Sequence, residues 1–160
     1  MEASVQVPTL GGILLIDERK PDLSYRLVQE HARSRPVLCI SREPPERVAR
    51  RHPMGNAEHA WLVTNDGERA VSPFRLKAVR DRIEEFLRKN PAGAIMIDGV
   101  ELLMVMNSYE EVRDLLSDLN DRMRQDGVEC VVPIDTRTLT TGELSEIRRS
   151  FPMVRGDGRA

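Results

Sequence analysis

Short continuous apolar runs alternate along the chain with longer segments whose apolar residues recur every three or four positions. The runs are Ile13-Leu14-Leu15-Ile16, Val37-Leu38-Cys39-Ile40, Ala60-Trp61-Leu62-Val63, Gly93 through Asp98, and Val128 through Ile134. Each is too short for a helix, and unbroken apolarity marks a strand buried on both faces. Pro133 has no N–H for a ladder bond and belongs at the end of its strand. Between the runs the period changes. Pro21 suits the first turn of a helix carried by Leu23, Leu27 and Val28, which stops before Pro36. Pro44-Pro45 launches a short helix through Val48, ended by His52-Pro53. Asn65-Asp66-Gly67 reads as a turn, and Ser72-Pro73 as a cap with a proline at the first helical position. Leu76, Val79, Ile83, Phe86 and Leu87 then share one helical face. A brief apolar segment, Val100 to Met106, leads to Ser108 and Glu111, which have capping-box spacing ahead of the stripe Val112, Leu115, Leu116, Leu119 and Met123. Gly127 ends that helix, and Thr140 with Glu143 opens a last one containing Leu144 and Ile147.

Five strands alternating with amphipathic helices predict right-handed crossovers and a three-layer α/β/α sandwich around a mainly parallel five-stranded sheet. With 160 residues the chain suits one domain, placed at residues 12–154, with residues 1–11 and 155–160 as flexible ends. A parallel sheet receives ligands at the carboxyl ends of its strands. The informative loops are therefore those starting at Asp17, Ser41, Asp98 and Asp135.

Composition narrows the function. Apolar residues make up 40% and aromatics 4%, so the core is aliphatic and single-strand stacking on aromatic platforms is disfavoured. The net charge of −2 gives no global attraction to nucleic acid or an anionic membrane. Charge is nevertheless uneven: Arg19 to Arg51 holds nine basic side chains against four acids, whereas the helix after Ser108 leans acidic. Cys39 and Cys130 both sit inside apolar runs without metal or redox spacing, which suits a reducing cytoplasm. No run reaches the length of a membrane span, and the N-terminus lacks a signal-peptide profile. A cytoplasmic location without membrane contact is the expectation.

The candidate chemistry centres on Asp98, an acid at the tip of an apolar strand, where nucleotide-hydrolysing α/β proteins hold magnesium. The glycine-rich loop that should precede it is missing. Asp17 and Asp22 stand where its glycines must be and Leu23 where its lysine must be; only Ser24 agrees. Arg19 and Lys20 could meet an anion or simply start a solvated helix. Glu43, just past the second strand, could activate water if a nucleotide were bound, or serve as an acid favoured by a helix N-terminus. Glu101 reads as exposed. His31, His52 and His59 have no metal or triad spacing and read as surface or loop residues. Met104 and Met106 lie just past a strand tip, either as core or as an adaptable docking surface.

Ser41-Arg42-Glu43-Pro44-Pro45-Glu46, Trp61-Leu62-Val63-Thr64 and Ile95-Met96-Ile97-Asp98-Gly99-Val100-Glu101-Leu102-Leu103 resemble the core of the circadian-clock and recombinase type of ATPase, the RecA-like fold. That resemblance implies a strand order of 3-2-4-5-1, a catalytic glutamate at Glu43 and a Walker B acid at Asp98. More specifically, Lys20-Pro21-Asp22-Leu23-Ser24-Tyr25, the Asp98-Gly99-Val100-Glu101-Leu102-Leu103 block and Pro133-Ile134-Asp135 resemble an archaeal family of unknown function, DUF835, over about residues 12–151. Its members often accompany sensory and response-regulator domains, which implies a regulatory role by association.

The leading expectation is therefore an inactive ATPase-like (pseudo-ATPase) domain serving signal transduction by binding a protein partner. No cofactor and no metal are expected, a homodimer is open, and nucleic acid is disfavoured. Arg19, Lys20, Ser24 and Asp98 are the ligand-binding candidates, Glu43 and Asp98 the remnant catalytic ones, and Met104 and Met106 the interaction candidates. The alternatives are a divergent nucleotide enzyme using Lys20 or Arg19 with Glu43 and Asp98, and a nucleic-acid-binding regulator using the Arg19 to Arg51 stretch. A phosphoacceptor receiver, suggested by Asp17-Glu18, ranks third, between these two: Asp98 lies one βα unit too far along for it, and Pro133-Ile134-Asp135 offers no lysine at the fifth strand's end.

Overall fold

A computed structural model describes residues 11–157. The elements run β1 (Gly12–Asp17), α1 (Asp22–Ala32), β2 (Val37–Ser41), α2 (Pro45–Arg51), β3 (Glu58–Leu62), β4 (Ala70–Val71), α3 (Leu76–Lys89), β5 (Ala94–Asp98), α4 (Val100–Met106), α5 (Tyr109–Asp126), β6 (Glu129–Ile134), α6 (Thr141–Ser150) and β7 (Met153–Arg155). A single 3-10 turn, Thr136–Thr138, links β6 to α6.

The sheet has seven strands, all parallel, in the order β4-β3-β2-β5-β6-β1-β7. This corrects the expected five-stranded sheet: two edge strands extend the order 3-2-4-5-1 to seven. The five anticipated runs form the contiguous block β3-β2-β5-β6-β1, and β4 and β7 are added at the two edges. Both additions are only two and three residues long, so each leaves little unpaired backbone for another chain to template on. Arg155, expected to start a flexible tail, instead pairs with Asp17 as the last residue of β7. Gly11 and Gly156 also lie among the described residues, their amides donating to Glu129 Oε1 and the Asp17 carbonyl, while residues 1–10 and 158–160 lie outside them.

Strand side chains alternate between the faces and define two cores. Ile13, Leu15, Leu38, Ile40, Ile95, Ile97, Cys130 and Val132 pack with α3, α4, α5 and α6. Leu14, Ile16, Val37, Cys39, Ala94, Met96 and Val131 pack with Leu23, Tyr25 and Val28 of α1 and Val48 of α2. Gly12 is required by proximity: its φ is +85°, and a Cβ there would come within 2.5 Å of Asn120 Oδ1. The Asn120 oxygen accepts the Ile13 N–H at 2.8 Å, so α5 is fastened to the start of β1 by a buried hydrogen bond.

Two helix starts differ from expectation. α3 begins at Leu76 rather than after Ser72, because the Ser72 hydroxyl accepts from Phe74 N and closes a local turn before the helix. At α5 only half of the capping box forms: Ser108 Oγ accepts from Glu111 N, while the Glu111 carboxylate turns to the Ser108 hydroxyl. The box at Thr140 and Glu143 is complete.

Candidate functional site

The ends of β2 and β5 place Ser41 directly opposite Asp98 in register. Both continue the alternation of Cys39 and Met96, so they face α1 and α2. From α1, the buried Tyr25 hydroxyl donates to Asp98 Oδ2 at 3.1 Å, and the Ser41 hydroxyl lies 3.5 Å from the same oxygen. Ser41 Oγ also accepts the Glu43 N–H at 3.0 Å, which fixes the loop that leaves β2. The His52 ring, past the end of α2, stacks on Tyr25 with centroids 3.8 Å apart and planes within 2°. The result is a buried polar cluster of Tyr25, Ser41 and Asp98 at the carboxyl ends of the strands, roofed by an imidazole.

Asp98 is 5% exposed. Burial raises its carboxyl above the usual aspartate range, with the Arg42 guanidinium and the Tyr25 hydrogen bond opposing that rise. Burial also raises the Tyr25 phenol and pushes the Cys39 thiol up to about 12, so neither ionises at neutral pH. The His52 and His31 imidazoles are lowered by burial and are neutral there. A carboxyl whose folded pKa exceeds its unfolded one binds the extra proton in the folded state, so stability falls as pH rises through that interval and the penalty is complete above it. Asp98→Asn, which keeps an oxygen for the Tyr25 hydroxyl, is therefore expected to match or exceed the parent in thermal stability at pH 7. Its advantage shrinks toward the unfolded aspartate pKa, near ~4. Melting curves at several pH values check this, and a variant that is less stable than the parent at pH 7 contradicts it.

At the start of α1 the backbone amides are already taken. Pro21 provides no side-chain cap, and the Glu18 carboxylate reaches forward instead. Its Oε1 accepts from Leu23 N at 3.0 Å, and its Oε2 from Ser24 N at 2.9 Å and Ser24 Oγ at 2.6 Å. Ser24 is fully buried and its hydroxyl is committed to this contact. Asp17 turns the other way and accepts from Thr136 N and Oγ1, tying the β1 loop to the β6 loop.

The remaining candidates divide between one cleft and a separate surface. A cleft of about 280 Å³ is lined by Arg19, Lys20, Arg42, Glu43, His52 and Asp98, among others. Arg19 and Lys20 are exposed on its rim. Glu43 faces Arg47 and Arg51 at 3.8 and 3.6 Å. Met104 and Met106 are half-buried on α4, away from this cleft. Glu101, expected to be exposed, is half-buried because its carboxylate accepts the Asp135 N–H at 2.8 Å and anchors the end of β6. Asp135 is held by Arg137, which lowers its carboxyl to about 2. The histidines, expected on surfaces or loops, are all half-buried: His31 in α1, His52 on Tyr25 and His59 in β3. Among the described residues no group of three or more His, Cys, Asp or Glu side chains could hold a metal ion.

Sequence reasoning missed Glu18 and the pairing of Tyr25 with His52. A signal for the first existed: an acid just ahead of a proline-led helix start. Its spacing is not that of a capping box.

Lys20, Tyr25, Arg42 and Asp98, from three separate stretches of chain, thus meet around one crevice. Among curated proteins the chain has no match. The family model described as a protein of unknown function, DUF835, matches residues 17–151, and the chain belongs to that family.

Proposed function

We propose that this protein is a RecA-like domain that has given up nucleotide hydrolysis and works as a regulatory, protein-binding module in signal transduction. The observation that carries the reading is the Glu18 carboxylate on the Leu23 and Ser24 amides. Phosphate-binding α/β proteins aim the first amides of this helix at phosphate oxygens. Here an internal anion occupies them, and Ser24, the hydroxyl that would face magnesium, donates to the same carboxylate. The central strand block β3-β2-β5-β6-β1, with Glu43 after β2 and Asp98 at the tip of β5, supports kinship with the ATPase core. Lost phosphate chemistry on a retained scaffold leaves partner recognition as the function.

Calorimetric titration with magnesium-ATP is expected to give no binding heat. A micromolar dissociation constant, or hydrolysis abolished by Asp98→Asn, would establish the divergent enzyme instead.

A further inference from the structure

The surface formed by α4, the 3-10 turn and the start of α6 lies on the opposite side of the sheet from Glu18 and Asp98. It contains a groove of about 310 Å³ whose apolar lining comes mainly from Met104, Val105, Tyr109 and Leu139. Val105 is 78% exposed and Phe74 is 56% exposed; they are the large exposed hydrophobic residues among the described residues. Both lie at this end of the molecule, since Asn107 Nδ2 at the close of α4 donates to the Pro73 carbonyl at 2.9 Å. A single exposed Val or Phe is ordinary, but an exposed Val in an apolar groove with the adaptable Met104, and an exposed Phe at the same end of the molecule, are not.

The charge around the groove is one-sided. Glu101 and Glu143 line it, and no cation does. Exposed Glu110 and Glu111 follow in the first turn of α5, and Glu146 accepts the Tyr109 hydroxyl at 2.8 Å. The neighbouring cations are already engaged: Arg113 with Glu146 and Asp114, and Arg137 with Asp135. Arg75, beside Phe74, is the exposed exception. A partner that fills such a groove needs apolar anchors on one face and basic residues flanking them.

We infer that the α4–α6 groove is the docking site for an amphipathic helical segment of a partner protein, with leucine-like anchors seated on Met104 and Val105 and lysine or arginine side chains opposite Glu101 and Glu143. This rests on the interaction-module reading and supplies its partner chemistry.

The test uses a short labelled helical peptide with leucines on one face and lysines on the other. A glutamate-for-lysine analogue and a serine-for-leucine analogue serve as comparisons in fluorescence anisotropy. The leucine/lysine peptide is expected to bind at least about tenfold more tightly than either analogue. Val105→Glu adds negative charge at an exposed position without disturbing the core, so mere electrostatic attraction would strengthen binding. The expected result is a loss of about tenfold or more. Unchanged or tighter binding to Val105→Glu, or equal binding of the acidic analogue, overturns the inference. Light scattering is the companion measurement: a dimer dissolved by Val105→Glu would make a second copy the occupant and overturn it equally. Because the Glu18 region is on the other face, failure here leaves the magnesium-ATP result untouched, and the two outcomes are read independently.

Discussion

Tyr25→Ala is expected to lower the free energy of unfolding by about 3–5 kcal/mol, the largest loss among the substitutions considered at this site. The ring is 1% exposed and packs among Val28, Val37, Cys39 and Met96 under the His52 roof, so truncation leaves a cavity that neighbouring strands cannot close. Tyr25→Phe isolates the hydroxyl. It keeps the packing and the stack but removes the donor to Asp98 Oδ2, which leaves a buried carboxyl with a poorer set of partners at a cost of about 1–2 kcal/mol. Because the two groups touch, the cost of Tyr25→Phe should shrink in an Asp98→Asn background, and the cycle should show a coupling of about 0.5 kcal/mol or more. Urea titrations followed by circular dichroism provide all four values. Additive effects would mean that the hydrogen bond holds nothing, and a Tyr25→Ala protein as stable as the parent would remove the cluster from any account of the fold.

Tyr25 and Asp98 also show what physical patterning in a sequence can and cannot reveal. Asp98 was legible because a single charge ending a fully apolar strand has one natural place, the carboxyl edge of a parallel sheet. Its partner was not, since the contact depends on how α1 crosses over β5, a distance set by two loops and not by any local period. The strands that sequence reading found are those buried on both faces. β4 and β7 escaped because Ala70-Val71 and Met153-Val154-Arg155 are edge segments too short to express any period. The Val100 to Met106 stretch carries apolar residues on several sides, and only the fold shows it as α4, with Leu103 inward and Val105 in solvent. Gly99, at φ +135°, permits the abrupt change from β5 into α4, and a Cβ there would meet Leu62 at 2.9 Å. The Asp-Gly pair is thus a structural necessity of the turn as well as part of the family resemblance.

The buried Asp98 and the helix start closed by the Glu18 carboxylate are separate features, and the second can be tested on its own. Glu18→Ala removes the acceptor for two backbone amides and the Ser24 hydroxyl at once. Losing a helix cap and orphaning a buried hydroxyl are together worth about 2–3 kcal/mol. If the carboxylate stands where a phosphate would, the vacated amides form an anion site, and inorganic phosphate should restore part of the loss to Glu18→Ala while leaving the parent almost unmoved. Stabilisation by a ligand grows as the logarithm of its concentration over its dissociation constant, so a phosphate series at constant ionic strength reads the effect directly as a rising melting temperature. Chloride at the same ionic strength is the control. Magnesium-ATP should still fail to bind tightly, because Asp17 and Asp22 remain where backbone freedom is needed and Leu23 remains in place of the lysine. Equal phosphate responses in the two proteins would mean that Glu18 is an ordinary helix cap, and the pseudo-ATPase reading would lose the observation that carries it.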